Sequence, residues 1–354
     1  MKPFADRVVA WQRQHGRHDL PWQRNRDPYR IWLSEIMLQQ TQVATVVGYF
    51  ERFVARFPDL AALAGASEDD VLALWSGLGY YSRARNLHTA ACRIAERYGG
   101  HFPDTAEAIG ALPGVGRSTA AAVAALAFGR RCAILDGNVK RVLARHAGIN
   151  GWPGDRRIED ALWRHAESLL PEQAIASYTQ GMMDLGALLC TRTRPDCMAC
   201  PVRRDCNAHA TGRTHTLPTP RPKKNLPERH VRMLLLLDRG ELLLEKRPAK
   251  GIWGGLWSLP EASEDTDCAD HVRERYGLVA HSLRELPPLS HGFTHFRLHI
   301  RPTLLALAPC TKSLPGHVWL APADALDAAL PAPVRKLVAE LARERPLFPR
   351  SPVL

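Results

Sequence analysis

Ala111-Leu112-Pro113-Gly114-Val115-Gly116-Arg117-Ser118-Thr119-Ala120 is the stretch whose reading decides the fold. Leu-Pro closes one helix, two glycines make a tight turn, and an alanine-rich run opens the next helix. That order reads as a helix-hairpin-helix element. Gly114 and Gly116 let the backbone approach a ligand closely, and the unsatisfied amides at the next helix start, around Ser118, can accept a phosphate without reading a base. A Gly-x-Gly turn alone is a weak signal; its neighbours give it weight. Around it the first 210 residues read as helix after helix. Ile31–Val43, Asp69–Leu78, Ser82–Tyr98, Ser118–Phe128 and Ile158–Leu170 all carry long apolar patterning, separated by proline and glycine breaks at Pro28, Pro58, Gly99-Gly100, Pro103 and Pro153. β-branched alternation is scarce, so residues 1–210 are expected to be all-α.

The texture then changes. Residues 211–229, TGRTHTLPTPRPKKNLPER, carry prolines and cations without periodicity and read as a semi-rigid basic linker. Beyond it, His230–Leu237 and Glu241–Glu245 read as strands joined at Asp238-Arg239-Gly240, His295–Leu307 as a longer strand, and Ala323–Leu330 and Pro333–Arg343 as helices. Residues 230–354 are thus expected to form a second, α+β domain, and 354 residues suit two domains. With 45% hydrophobic and 23% charged residues, both parts can bury a core.

The formal charge of +11 is uneven: residues 1–229 hold 31 Lys/Arg against 22 Asp/Glu, and residues 230–354 hold 16 against 14. An excess of nine positive charges in the first part points to a polyanionic partner there, although a GC-rich genome gives the same arginine-rich bias. No apolar run reaches membrane-spanning length, and the charged N-terminus lacks a signal core. A cytoplasmic protein without a membrane partner is expected, nucleoid-associated if it acts on DNA. In that compartment the eight cysteines should be thiols or metal ligands, not disulfides.

Cys190, Cys197, Cys200 and Cys206 fall within seventeen residues, spaced C-x6-C-x2-C-x5-C. Four thiolates this close can enclose zinc or an iron–sulfur cubane, and spacing alone does not separate the two. Arg192, Arg194, Arg203 and Arg204 between the ligands would give a basic surface suited to phosphates, or merely solvate a structural knot. Cys92, Cys132, Cys268 and Cys310 are isolated packing or surface thiols. Asp136, in Ile134-Leu135-Asp136-Gly137-Asn138-Val139-Lys140-Arg141, sits at the start of an expected helix, where capping is its commonest role.

Hairpin, aspartate and cysteine cluster, in this order, resemble the endonuclease III superfamily of helix-hairpin-helix glycosylases, and within it the adenine DNA glycosylase (MutY) family. The segments Pro21-Trp22, Trp32 through Val43 (WLSEIMLQQTQV) and Gly77 through Asn86 (GLGYYSRARN) are its most specific marks, and the resemblance spans almost the whole chain. It implies an all-α glycosylase domain with one [4Fe-4S] cluster on the four cysteines, followed by an α+β Nudix-like lesion-recognition domain. It also implies a monomer acting on double-stranded DNA that carries adenine opposite 8-oxoguanine or guanine.

Removing adenine breaks an N-glycosidic bond through an oxocarbenium-like transition state, so an acid must face the base and a carboxylate the sugar. The resemblance assigns the acid to Glu35 and the carboxylate to Asp136, with Asn138 supporting it. By residue alone, Glu35 also reads as a surface carboxylate; at helical spacing it shares a face with Gln39 and Gln42. Family members that also cut the strand carry a lysine where this chain has Ser118, so a monofunctional enzyme using water is expected. Lys140 is expected at most to trap product adventitiously. The base must be flipped out of the stack; Gln39 and Gln40 are candidates for the wedge, and Tyr80 for stacking beside the oxidised guanine or for core packing.

In the second half, Leu244 through Pro248, Gly251 through Trp257 and Leu259-Pro260 resemble a Nudix fold, but Ala269–Gly277 offers only Glu274 where a hydrolase needs several metal-binding glutamates. The family's Phe-Ser-His loop appears as Phe293-Thr294-His295. Thr294 keeps the hydroxyl and adds a methyl; His295 contacts the lesion or is a plain strand-edge histidine. Three other readings stand beside the leading one: a glycosylase/lyase for oxidised pyrimidines, opposed by Ser118; a non-catalytic lesion sensor, opposed by Glu35 and Asp136; and a nucleotide hydrolase, opposed by the sparse acidic helix.

Overall fold

The computed structural model describes residues 2–222, 225–309 and 314–344, so Cys310 lies outside the described residues. Two compact units emerge: residues 1–65 with 86–223, and residues 66–85 with 224–354.

The first unit is helical. Its helices are α1 (Phe4–His15), α2 (Pro28–Leu38), α3 (Val43–Arg56) and α4 (Leu60–Ala64). After α5 (Glu68–Trp75), which belongs to the second unit, come α6 (Ser82–Tyr98), α7 (Ala106–Gly110), α8 (Arg117–Phe128), α9 (Gly137–Ala147), α10 (Arg156–Ser168), α11 (Ile175–Asp184) and the short α12 (Asn207–Ala210). The hairpin's second helix, α8, buries Ala120 through Ala125 and packs on α2, α7 and α11. A helix buried all round must be apolar all round, and small alanines let its neighbours close in. Phe4, Val8, Val139, Val142, Leu143, Leu162, Tyr178 and Met182 form a core joining α1, α9, α10 and α11.

The expected single helix Ile31–Val43 is in fact two. Helix α2 stops at Leu38, Gln39 leaves helical geometry, Gln40 is left-handed at φ 59°, and Gln42 becomes the residue before α3. Gln39 and Gln42 therefore do not continue the Glu35 face. The apolar pattern runs through the break because both flanking helices bury the same core side, and the period carries no mark of a four-residue turn.

The second unit centres on a mixed sheet with β1 (Glu228–Asp238), β2 (Glu241–Lys246), β3 (Trp257–Ser258), β4 (Glu261–Ala262), β5 (Ala280–Glu285), β6 (Leu289–Gly292), β7 (Arg297–Leu307) and β8 (His317–Leu320). β1 and β7 run parallel in register, Glu228 beside Arg297 through Leu237 beside Ala306. Antiparallel partners flank them: β2 and β4 on β1, β5 and β6 on β7, with β3 and β8 on β2. The β1–β2 turn places Arg239 and Gly240 at φ 49° and 86°, the positive pair that a tight hairpin needs. Helix α13 (Cys268–Tyr276) covers one face through Val272 and Tyr276, against Leu234, Leu236, Leu243 and Leu305. The short α14 (Pro322–Ala325) and α15 (Ala332–Arg343) complete the unit. β1 begins at Glu228, inside the expected linker, and α14 is shorter than the helix expected over Ala323–Leu330.

Residues 66–85 group with this unit. The Ser76 and Tyr81 hydroxyls both donate to the Leu330 carbonyl, at 3.0 and 3.2 Å, and Lys246 pairs with Asp69.

Candidate active site

Asp27 caps α2 by accepting from the Tyr29 amide at 2.9 Å, and Pro28 supplies a preset first helical φ. Two turns on, Glu35 reaches a cleft of about 380 Å³ lined also by Trp22, Arg26, Leu38, Leu126 and Gln180, a size that suits a small flat ligand. Burial pushes the Glu35 carboxyl up to about 8, and the neighbouring Asp136 charge adds to the rise.

Asp136 caps α9, its Oδ1 accepting from the Val139 amide at 2.7 Å. Burial raises this carboxyl as well, but backbone amides of Val139 and Asn138, the Asn138 side chain and the nearby Arg141 cation all favour its anion. The two carboxyls differ in their surroundings: Glu35 is raised by burial with no donor opposing it, whereas at Asp136 the donors of the helix N-terminus work against the same burial and favour the charged form.

Ser118 lies in the first turn of α8, and its Oγ accepts the Leu135 amide at 2.9 Å, tethering the chain one residue before Asp136. Gly116 precedes α8 with open space where a Cβ would be, whereas Gly114, at φ 72°, would drive a Cβ to 2.6 Å from that of Asn86. Gln39 donates to Thr119 Oγ1 at 3.3 Å, bringing the Gln39-Gln40 turn beside the hairpin helix. Lys140 is held by Glu159 at 2.6 Å, so its amine is committed to an ion pair.

One buried carboxylate escaped sequence reading. Asp184 is fully buried and gathers Arg17, through its amide at 2.9 Å and its guanidinium at 2.6 Å, together with the Gln180 side chain at 2.9 Å. Arg17, Gln180, Trp22 and Arg26 all line the cleft. Gln180 lies far in sequence from the other three and the set matches no spacing rule; Pro21-Trp22 alone carried a signal.

After Asp184 the helix passes into a wide π turn, Leu185–Leu189, and delivers Cys190, whose amide donates to Leu185 at 2.7 Å. Cys190, Cys197, Cys200 and Cys206 line one recess with Leu185, Leu189 and Val202. The recess suits a soft metal centre, zinc or an iron–sulfur cluster. Buried Arg145 supplies matching charge, donating to Cys190 Sγ at 3.3 Å and to the Thr191, Arg192 and Leu217 carbonyls. Arg141 links the cradle to the carboxylates, donating to the Cys190 and Gly186 carbonyls and to Asn138 Oδ1 at 2.7, 2.7 and 2.8 Å. Arg192, Arg194 and Arg204 are exposed around the recess, and Arg203 is half-buried.

Within the second unit, Tyr80 is exposed, left-handed at φ 49°, and its hydroxyl lies 3.5 Å from Thr294 Oγ1. Core packing is thus not its role. Phe293 anchors the β6–β7 loop by stacking on Phe296 at 4.4 Å and touching Trp253, which leaves Thr294 and His295 exposed. Helix α13 carries Glu274, while its neighbour Arg275 and Tyr276 both engage Glu245.

Residues 33–168 match the HhH-GPD superfamily of base excision DNA repair proteins, and residues 232–340 match a NUDIX domain. A thermostable thymine-DNA glycosylase superposes with a TM-score of 0.53 and 30% identity, over 59% of this chain and 95% of that one. The adenine DNA glycosylase of Buchnera aphidicola subsp. Acyrthosiphon pisum is 37% identical over 95% of this chain and 96% of its own length. The human adenine DNA glycosylase is 34% identical over 94% of this chain and 73% of its own. With that likeness running through both units, the chain belongs to the adenine DNA glycosylase family and is a base-excision repair enzyme that hydrolyses N-glycosyl bonds in DNA.

Proposed function

We propose that the enzyme removes adenine paired with 8-oxoguanine, and less efficiently adenine paired with guanine, leaving an abasic site. The observation that carries this reading is Glu35, lining a base-sized cleft with its carboxyl pushed up to about 8 by burial, next to Asp136, whose donors favour its charged form. Adenine flips into the cleft, Glu35 donates its proton to a ring nitrogen, and the C–N bond breaks with its electrons going to the base. Asp136 stabilises the sugar cation, and water adds to it. Gln180 and Arg26 offer polar contacts to the base edge, and Trp22 a flat wall.

The four cysteines would hold a [4Fe-4S] cluster, which would organise the basic loop for phosphate contact; their shared recess and the Arg145 charge at Cys190 support a soft anionic centre there. The turn at Gly114 and Gly116 takes a phosphate on the α8 amides. Gln39 and Gln40 fill the gap left by the flipped base, and Tyr80, Thr294 and His295 read the opposite base, with Phe293 bracing their loop.

Hydrolysis is favoured over lyase chemistry because Ser118 offers a hydroxyl that is already tethered, and the Lys140 amine is engaged by Glu159. The test is single-turnover cleavage of labelled duplexes carrying adenine opposite 8-oxoguanine or opposite thymine, with and without alkali. Breakage of the mispaired duplex alone, and only after alkali, is expected. Breakage without alkali overturns the monofunctional assignment, and equal cleavage of both duplexes overturns the substrate.

A further inference from the structure

Away from the glycosylase chemistry, the start of the central parallel pair gathers an unusual set of side chains. Side chains alternate along a strand, so Glu228 and His230 share one face of β1. The parallel register sets His230 directly beside His299 on β7. Strand geometry alone therefore puts a carboxylate and two imidazoles together, and their ligand atoms lie within 4.8 Å of one another.

The rings stack at 4.8 Å with an interplanar angle of 20°. Each Nδ1 has a neighbour: His230 Nδ1 is 3.3 Å from Glu264 Oε2, and His299 Nδ1 is 3.1 Å from Ser290 Oγ. With the proton on Nδ1, donated to the carboxylate in His230 and to the hydroxyl in His299, Nε2 of each ring is left for a metal, as in carboxylate–histidine–metal triads. His299 Nε2 is indeed buried with no hydrogen-bond partner and stands 3.5 Å from Glu228 Oε2. The cation of neighbouring Arg301 is taken up by the other oxygen of Glu264, at 3.2 Å.

We propose that Glu228, His230 and His299 bind one borderline transition-metal dication, zinc being the best fit to two imidazoles and a carboxylate with a fourth position for water. Metal binding needs only a small closure of the three groups. It would clip the first residues of β1 to β7 where the strand pair is most exposed.

The probe is zinc itself, given to the full-length protein loaded with iron. After equilibrium dialysis against a zinc buffer at low-micromolar free ion, elemental analysis should find about one zinc per chain beyond the iron. His230→Ala and His299→Ala should each lose it with iron content unchanged, and Glu228→Gln should weaken it at least tenfold. Zinc retained by the His230→Ala/His299→Ala double variant, or none taken up by the wild type, overturns the site. X-ray absorption on the zinc-loaded wild type decides independently of any variant. Nitrogen and oxygen scatterers are expected, and sulfur in the zinc shell would place the ion on the cysteines and sink the proposal.

Discussion

Glu35 shows how an ordinary residue becomes an acid by where it sits. Its ordinary value is near 4.5, and burial carries it to about 8. Between those values the folded chain keeps a proton that the unfolded chain has lost, so this residue lowers stability progressively as pH rises from about 4.5 to about 8 and no further beyond. Glu35→Gln should flatten that part of the stability–pH curve, measured by denaturant melts across the range, while lowering excision by about 10²- to 10⁴-fold. The apolar stretch Ile31–Val43 around it already suggests burial and a raised value, but without the family resemblance the surface reading of Glu35 is the better one. Gln40 and Tyr80 make the opposite case. Both are non-glycine residues in left-handed backbone, Gln40 exposed and Tyr80 half-exposed, and such a conformation costs about 1–3 kcal/mol. At Arg239 the same conformation serves the β1–β2 turn, whereas Gln40 stands in the turn beside the hairpin helix and Tyr80 next to Thr294, where the strain points to function. Gln40→Gly should therefore hold or raise the melting stability by about 1 kcal/mol while slowing adenine release; a variant equally fast in excision would remove Gln40 from the wedge.

Elements were legible where composition and period agreed. Helix α6 spans the expected Ser82–Tyr98, and the β1–β2 hairpin turns at the expected Arg239-Gly240. Legibility failed where the period continued across a break, as between Leu38 and Val43, and where long-range packing chose the partner, as for Asp184 with Arg17. The junction of α9 with the π turn is an element-scale contact that sequence cannot show. A Cβ on Gly186 would come within 2.6 Å of the Asn138 Cβ and 3.0 Å of its Cα and carbonyl oxygen. Backbone cannot yield as a side-chain tip can, so Gly186→Ala should cost about 1–3 kcal/mol. By displacing Asn138 it should also slow excision more than a surface change of equal stability cost. Denaturant melts paired with single-turnover rates would separate the two effects.

At the scale of the whole molecule, the sequence divided correctly into a helical part and a mixed-sheet part, because the two textures bury apolar surface with different periods. Residues 66–85 fall within the matched glycosylase segment and share its helical pattern, while their contacts group them with the second unit and Ser76 and Tyr81 donate to Leu330. The basic excess in residues 1–229 implies that duplex affinity falls steeply with salt. Arg194→Ala, on the exposed cysteine loop, should reduce the slope of log affinity against log salt by about one without changing mispair preference; an unchanged slope would take that loop off the phosphates. The central claim, that a desolvated Glu35 delivers the proton that expels adenine, is tested most directly by the single-turnover excision rate as a function of pH. The expected profile falls about tenfold per unit above about pH 8 in the wild type and loses that limb in Glu35→Gln, whose residual rate is low throughout. A wild-type rate that stays flat through that limb, or a Glu35→Gln enzyme as fast as the wild type, would contradict it.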